Sequence, residues 1–383
     1  MGNGERAEGA RPRRRIGTRR KVLFSGAILL TLLLAIEGGA RLLGAKPFPP
    51  NPYRDTDLEM EWELRPSAET VWSNDQLVKT NSLGFRSPEL PTVKAPNEKR
   101  ILFLGDSVVF GYRVAQDETV TRYMEDDLAA RAPGANWHVI NAAAEGYNQF
   151  SYHHLLRHRG LAAKPDLILV SFVLNDIYEP YLNMRRYGAS GYFGKRTFLT
   201  PLKDLVRHSA AFCAIESVYI RFQLKSIAPP GVYQIGNMFI DPPPPEIAEG
   251  WREALSHLVA TRDLARENGI PLVVVAFPTR YQFESADPAR LAPQKRLLEF
   301  CEANGIALLD VYTELRANPM PVDDLLMDEI HLRPAGAEHI AGIITERLAE
   351  SNAAALTPNA EFQATEAWRI GAREALREAG LTD

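Results

Sequence analysis

Cysteine is almost absent from these 383 residues: Cys213 and Cys301 are the whole supply. They lie far apart and lack the spacing of a metal knuckle, so a Cys-ligated metal site is excluded. Cys301 falls in the helical pattern QKRLLEFCEANG, which favours a buried thiol, although an exported domain could still join the two. A basic surplus is missing as well. The formal net charge of -4 supplies no positive field for nucleic acid, and that partner class is excluded. No internal repeat is present. The apolar run Val22–Ile36 is also too short to cross a bilayer alone: its helix would span ~22 Å against a hydrocarbon core of ~30 Å. What is present is a globular composition, 45% hydrophobic and 24% charged, long enough for one large domain or two ordinary ones.

The N-terminus departs from this balance. Residues 1–21 carry Arg6, Arg11, Arg13, Arg14, Arg15, Arg19, Arg20 and Lys21 against Glu5 and Glu8. Extending the apolar run through Glu37 to Leu43 gives about 33 Å of helix, with Glu37 and Arg41 placed to snorkel at the far interface. This predicts a basic cytoplasmic segment 1–21, a transmembrane anchor 22–43, and a remainder on the periplasmic or extracellular side. A cleaved signal peptide competes, but no clean small-x-small site directly follows the run. Residues 18–23 also loosely resemble a twin-arginine export signal, and a buried or misread helix is the last alternative.

Residues 44–98 read as a linker and lead-in. Pro47, Pro49, Pro50, Pro52 and Pro66 suit a stiff or extended chain, and β-prone stretches flanking Ser73-Asn74-Asp75 predict a small hairpin. From Lys99 the pattern alternates. Ile101–Leu104, Trp137–Asn141, Leu167–Val173, Leu272–Phe277 and Ala307–Val311 are continuous apolar runs of the kind buried on both faces of a parallel sheet. Amphipathic segments lie between them, for example Trp251–Asn268, closed by Gly269. The fold class expected for 99–350 is therefore α/β: a three-layer α/β/α sandwich around a five-stranded, mainly parallel, doubly wound sheet. Residues 179–248 break the beat and are rich in aromatic and basic residues. They read as an insertion after the third strand, either a lid or plain packing on the sheet rim or membrane surface. A helical tail is expected over 351–383.

The chemistry begins where the first strand ends, at Gly105-Asp106-Ser107. In a doubly wound sheet the carboxyl end of a central strand is where ligands bind, and a serine opening the next helix puts its hydroxyl in that crevice and its N–H at a helix N-terminus. The plain alternative is a helix cap. Far downstream stands Asp328-Glu329-Ile330-His331, followed by Pro334, which favours a helix starting after the pair. A serine hydroxyl needs an imidazole to take its proton, and the imidazole needs a carboxylate to fix its tautomer. His153, His154 and His158 lie on what reads as one polar helix, and His339 lies inside the last helix. Gly146 follows the second strand, where its N–H can approach substrate closely. Asn175-Asp176 ends the third strand, bringing the Asn175 amide toward the same crevice.

Taken in order, Gly105-Asp106-Ser107, Gly146, Asn175-Asp176 and Asp328-x-x-His331 resemble the four blocks of the SGNH/GDSL hydrolase family, over roughly Lys99–Leu348. Asn81-Ser82-Leu83-Gly84-Phe85-Arg86 is similar to a lead-in of anchored bacterial members. The third block departs, with Phe172-Val173-Leu174 where a glycine is common. The resemblance implies Ser107 as nucleophile, His331 as base and then acid, and Asp328 as its orienting carboxylate. It implies an oxyanion hole from the Ser107 and Gly146 N–H groups and the Asn175 amide, with Asp106 organising the turn. It further implies acyl transfer through an acyl-serine without metal or organic cofactor. The leading reading is an acylesterase or deacetylase acting on a small-molecule, glycan or lipid ester at the envelope. An O-acyltransferase using the same triad and a non-catalytic glycan- or lipid-binding module are the alternatives. Oligomeric state stays open.

Overall fold

The computed structural model describes residues 17–47, 53–55, 60, 62–72, 76–177, 206, 208–215, 218 and 235–350. Two compact units emerge, one from the N-terminal segment to Phe48 with Phe198–Phe222, the other from the rest of the chain.

In the first unit the apolar run forms a single helix, α1 (Thr18–Leu42), none of whose residues is buried. At 25 residues it is long and apolar enough to cross a membrane. Glu37, expected to snorkel, has protein partners here. Its carboxylate accepts the Ser209 hydroxyl at 2.7 Å and the Ala210 and Ala211 N–H groups at 3.0 and 3.1 Å, and Arg41 donates to it at 2.7 Å. Residues 210–215 are helical, so Glu37 satisfies N–H groups that a helix start leaves without an internal acceptor.

The second unit opens with two small antiparallel sheets. β1 (Tyr53–Asp55) pairs with β2 (Trp62–Leu64), and β3 (Glu69–Trp72) pairs with β4 (Gln76–Lys79). The second pair flanks Ser73-Asn74-Asp75, where a hairpin turn was expected, positions that lie outside the described residues. The first pair corrects the reading of this stretch as bare linker. Tyr53, Trp62 and Leu64 are buried, so the strands form against a core and not from local preference.

The main sheet has five parallel strands in the order β6-β5-β7-β8-β9. They are β5 (Glu98–Gly105), β6 (Asn136–Ala143), β7 (Leu167–Phe172), β8 (Leu272–Ala276) and β9 (Ala307–Asp310). All five are the apolar runs of the sequence, with burial on both faces as a helix-covered sheet requires. β5 starts three residues before its apolar run. Glu98 and Arg100 are charged, yet they pair at 2.6 Å inside the core, and the Arg100 guanidinium also donates to the Ala163 and Pro91 carbonyls. That pairing lets two charged residues sit in a buried strand.

Helices α2 (Ser107–Phe110), α3 (Val120–Arg131) and α4 (Gln149–His158) follow β5 and β6. α5 (Pro245–Glu267), α6 (Arg280–Glu284) and α7 (Ala292–Ala303) flank β8. After β9 come α8 (Val311–Ala317), α9 (Val322–Leu325) and α10 (Pro334–Glu350). Because α5 starts at Pro245, the insertion ends before 248. Residues 178–205, which carry the aromatic and basic positions of the expected lid, lie outside the described residues, as does the expected tail 351–383. Of the α4 histidines, His158 is exposed and His153 half-buried, but His154 turns inward. His154 is buried, its ring 4.4 Å from Phe150 and 6.2 Å from His158, and Phe150 in turn meets His257 of α5 at 5.1 Å. Cys213 and Cys301 are both buried and no disulfide joins them.

Candidate active site

The site forms at the carboxyl ends of β5, β6 and β7. Strand β5 delivers Gly105, where an added Cβ would lie 2.5 Å from Val109 and 3.3 Å from Ser171, so only glycine lets the helix turn back this tightly. Asp106 caps α2: one carboxylate oxygen accepts the Val108 N–H at 3.0 Å and the other accepts the Asn175 side-chain amide at 2.9 Å. Burial pushes the Asp106 carboxyl upward, opposed by those two hydrogen bonds. Gly111, left-handed at φ 85°, ends the helix after one turn. Ser107 is thus the first residue of a four-residue helix, and its N–H has no acceptor within that helix.

Across the crevice the loop between α9 and α10 presents the base. Ser107 Oγ lies 2.8 Å from His331 Nε2. His331 Nδ1 lies 2.8 and 3.0 Å from the two Asp328 oxygens. Asp328 also accepts the backbone N–H groups of His331 and Ile330, at 2.9 and 3.1 Å. Burial alone would raise the Asp328 carboxyl. The hydrogen bonds from the His331 side chain and backbone outweigh it and hold the group below the ordinary carboxylate range. An ionised Asp328 accepts from Nδ1–H, and that assignment leaves Nε2 as the lone-pair nitrogen facing the serine hydroxyl. The Tyr112 ring packs on His331 at 4.4 Å.

The loop carrying His331 is closed by the Leu326–Leu332 bridge and by the Met327 N–H donating to the His331 carbonyl at 2.8 Å. Arg280 clasps it from α6, donating to the Leu326 and Asp328 carbonyls at 2.9 and 3.3 Å, while its backbone N–H donates to the Glu329 carbonyl at 2.8 Å. Gly336 completes the docking, since a Cβ there would lie 2.2 Å from the Leu325 carbonyl oxygen.

Gly146 lies in the turn after β6 at φ 78°. Neither its N–H nor that of Ser107 donates to a backbone carbonyl among the described residues. Asn175 sits in one turn of 3-10 helix after β7, 1% exposed, with one amide hydrogen committed to Asp106. Asp176 faces the interior, accepting from Gln149, Tyr152 and the Val173 N–H at 3.0, 3.1 and 3.2 Å. Hydrogen bonds thus join Ser107, His331 and Asp328, and another joins Asn175 to Asp106, while Gly146 lies in the turn after the neighbouring strand. Gln149, Tyr152, Tyr112 and Arg280 were not foreseen, because each acts through a contact distant in sequence and carries no motif of its own. Among the described residues no group of three His, Cys, Asp or Glu is arranged to hold a metal.

The family model for the GDSL-like lipase/acylhydrolase family matches residues 103–339. Among solved structures the chain is similar to a two-domain esterase active on acetylated mannans, at 13% identity and TM-score 0.39 over 66% of this chain and 49% of that one. It thus spans about half the length of that protein. It is also similar to the lipase/acylhydrolase from Enterococcus faecalis, at 16% identity and TM-score 0.39 over 68% of this chain and 98% of that one. An acetylxylan esterase from Geobacillus stearothermophilus gives 13% identity and TM-score 0.40 over 67% and 95% of the two chains. No curated protein sequence matches.

Proposed function

This chain belongs to the GDSL-like lipase/acylhydrolase family, and on that premise we propose that it is a serine ester hydrolase working through an acyl-serine intermediate. The observation that carries the reading is the unbroken relay from Ser107 Oγ through His331 to Asp328, with both links at 2.8 Å. His331 Nε2 takes the hydroxyl proton as Oγ attacks the ester carbonyl. The carbonyl oxygen becomes an oxyanion held by the Ser107 and Gly146 N–H groups and the Asn175 side-chain amide. Collapse expels the alcohol, which takes its proton from Nε2. Water, activated by the same nitrogen, then releases the acid and restores Ser107. Asp328 stays ionised throughout and steadies the imidazolium.

The substrate proposed is an acyl ester on a glycan or lipid outside the cytoplasm. Its support is the apolar α1 beside the basic segment 1–21, which together suit a cytoplasmic N-terminus and an exported catalytic domain. Two experiments test these readings. The full chain in detergent should react with a fluorophosphonate probe and hydrolyse 4-nitrophenyl acetate, and Ser107→Ala should do neither. Equal labelling of the two proteins would overturn the nucleophile. Labelling with turnover only when a glycan hydroxyl is supplied would move the reading to acyl transfer. A C-terminal reporter active only in the cytoplasm would overturn the location.

A further inference from the structure

The two backbone donors of the proposed oxyanion hole are attached to short pieces of chain. Ser107 opens a four-residue helix, and Gly146 lies in a turn. A four-residue helix has too few internal hydrogen bonds to fix its own orientation, so whatever binds its far end also aims its near end. That far end is bound from outside the family-matched segment. Arg86, 3% exposed, donates through Nη1 to the carbonyls of Phe110 and Gly111 at 2.6 and 2.8 Å. Its Nη2 donates to the Val114 carbonyl at 2.9 Å, its Nε reaches Gln116 at 3.1 Å, and the guanidinium lies 4.7 Å from the Phe110 ring centre. Four acceptors around one planar fork suit arginine and no other side chain.

The turn of Gly146 is held from the same lead-in. The Glu145 N–H donates to the Tyr53 hydroxyl at 3.3 Å, and the Tyr147 hydroxyl donates to the Trp62 carbonyl at 3.2 Å. Between those two anchors the Trp62 ring covers Gly146 so closely that a Cβ there would lie 3.3 Å from it. The residues on either side of Gly146 are therefore fixed by β1 and β2, and its outer face is closed by an indole.

We propose that Arg86 and Tyr53 are positioning residues of the reaction: the lead-in 53–86 aims both backbone oxyanion donors at the developing charge. The inference rests on the serine-hydrolase reading above. It separates the lead-in from a mere cover over the sheet, because a cover would protect the fold without discriminating between ground state and transition state.

The test uses the full chain in detergent with 4-nitrophenyl acetate as substrate and phenylboronic acid as the tetrahedral mimic. Arg86→Lys should lower kcat by roughly 10- to 100-fold, in the range of a disturbed oxyanion donor, with KM within about twofold of wild type. Tyr53→Phe, which keeps the ring and removes one acceptor, should lower kcat by about threefold or more in the same manner. Boronate affinity should fall in step with kcat, and methylguanidinium should restore part of the rate to Arg86→Ala. A lowered Tm with unchanged kcat and boronate affinity in Tyr53→Phe would overturn the inference even if the Arg86 variants do not fold. An inactive wild type, or an active Ser107→Ala, would instead overturn the hydrolase reading on which it rests.

Discussion

The two halves of the candidate site are built in opposite ways. The nucleophile half is sheet-born: Ser107 is 8% exposed, two residues beyond a central strand whose core residues are fully buried, and its helix is bound at both ends. The base half is loop-born. The Asp328 side chain is 45% exposed, and its loop is held by one isolated bridge, the Met327–His331 backbone bond, the Arg280 clasp and the close packing of Gly336. Strand β5 is fixed by neighbours on both sides, β6 and β7, so the position of Ser107 follows from the register of the sheet. The position of His331 follows from a handful of polar contacts. The comparison teaches that rigidity at the nucleophile and adjustability at the base coexist in one relay, and that the base half is where small changes should alter chemistry without unfolding the domain.

The largest effect should come from the two ends of the relay. Ser107→Ala and His331→Ala should each lower kcat by roughly 10⁴- to 10⁶-fold, and the double variant should be no worse than the poorer single one, because the groups act as a unit. Losses that instead add would break the idea of a single relay. Asp328→Asn should cost about 10²- to 10⁴-fold in kcat by disturbing the imidazole tautomer, measured with the same chromogenic ester. Since His331 keeps the Asp328 carboxyl below its ordinary range, its stabilising contribution is present above the unfolded-state value of about 4 and fades only as the pH falls further. Acid loss of structure above pH 5 must therefore have another origin than Asp328.

The same asymmetry governs what the sequence made legible. The five strands could be read because burial on both faces leaves an apolar run, and Gly105-Asp106-Ser107 could be placed because it stops one of them. His331 had a weaker local mark, Asp328 three residues before it and Pro334 three after, and the four-block resemblance then gave it a role among the eight histidines. The Asn175–Asp106 hydrogen bond joins positions 69 apart, and nothing in either neighbourhood announces it. Strands β1 and β2 escaped notice because three-residue strands in a proline-rich stretch carry no periodicity; they exist through Tyr53 and Trp62, whose partners lie more than 80 residues downstream. The α4 ring cluster around buried His154 looked polar for a related reason, since a histidine counts as polar until an aromatic neighbour such as Phe150 is known.

Asp310 gives the base half a stability signature of its own, beside that of buried Asp106 in the nucleophile half. It ends β9, and the helix that follows, α8, supports α6 through the Tyr312 hydroxyl on the Gln282 carbonyl at 3.2 Å. Burial pushes the Asp310 carboxyl up to about 6, against the hydrogen bond from Thr313 at 2.7 Å. For a carboxyl raised on folding, the native state holds the proton more tightly. The stability this supplies is full below about pH 4 and is lost as the pH rises through 6. Asp310→Asn should therefore flatten the fall in Tm between pH 4 and 7 and gain on the order of 2–3 kcal/mol at neutral pH. A wild-type Tm that does not fall across this window would show that the Asp310 carboxylate costs the fold nothing.

The smallest expected effect bears most directly on the contrast. Arg280 makes no contact with the relay atoms, yet it donates to the carbonyls of Leu326 and Asp328 and pairs with Asp323 at 2.7 Å. Lysine at 280 keeps a charge for Asp323 but is a single point donor and cannot span both carbonyls. If the base loop is aimed by this clasp, Arg280→Lys should lower kcat by about tenfold through misplacement of His331, while the rate of fluorophosphonate labelling falls in parallel. Global stability should change little, because lysine keeps the charge for Asp323, whose side chain is 85% exposed, and exposed ion pairs contribute little. A drop in Tm without a drop in labelling would mean that the clasp serves the fold alone and that His331 is held as firmly as Ser107.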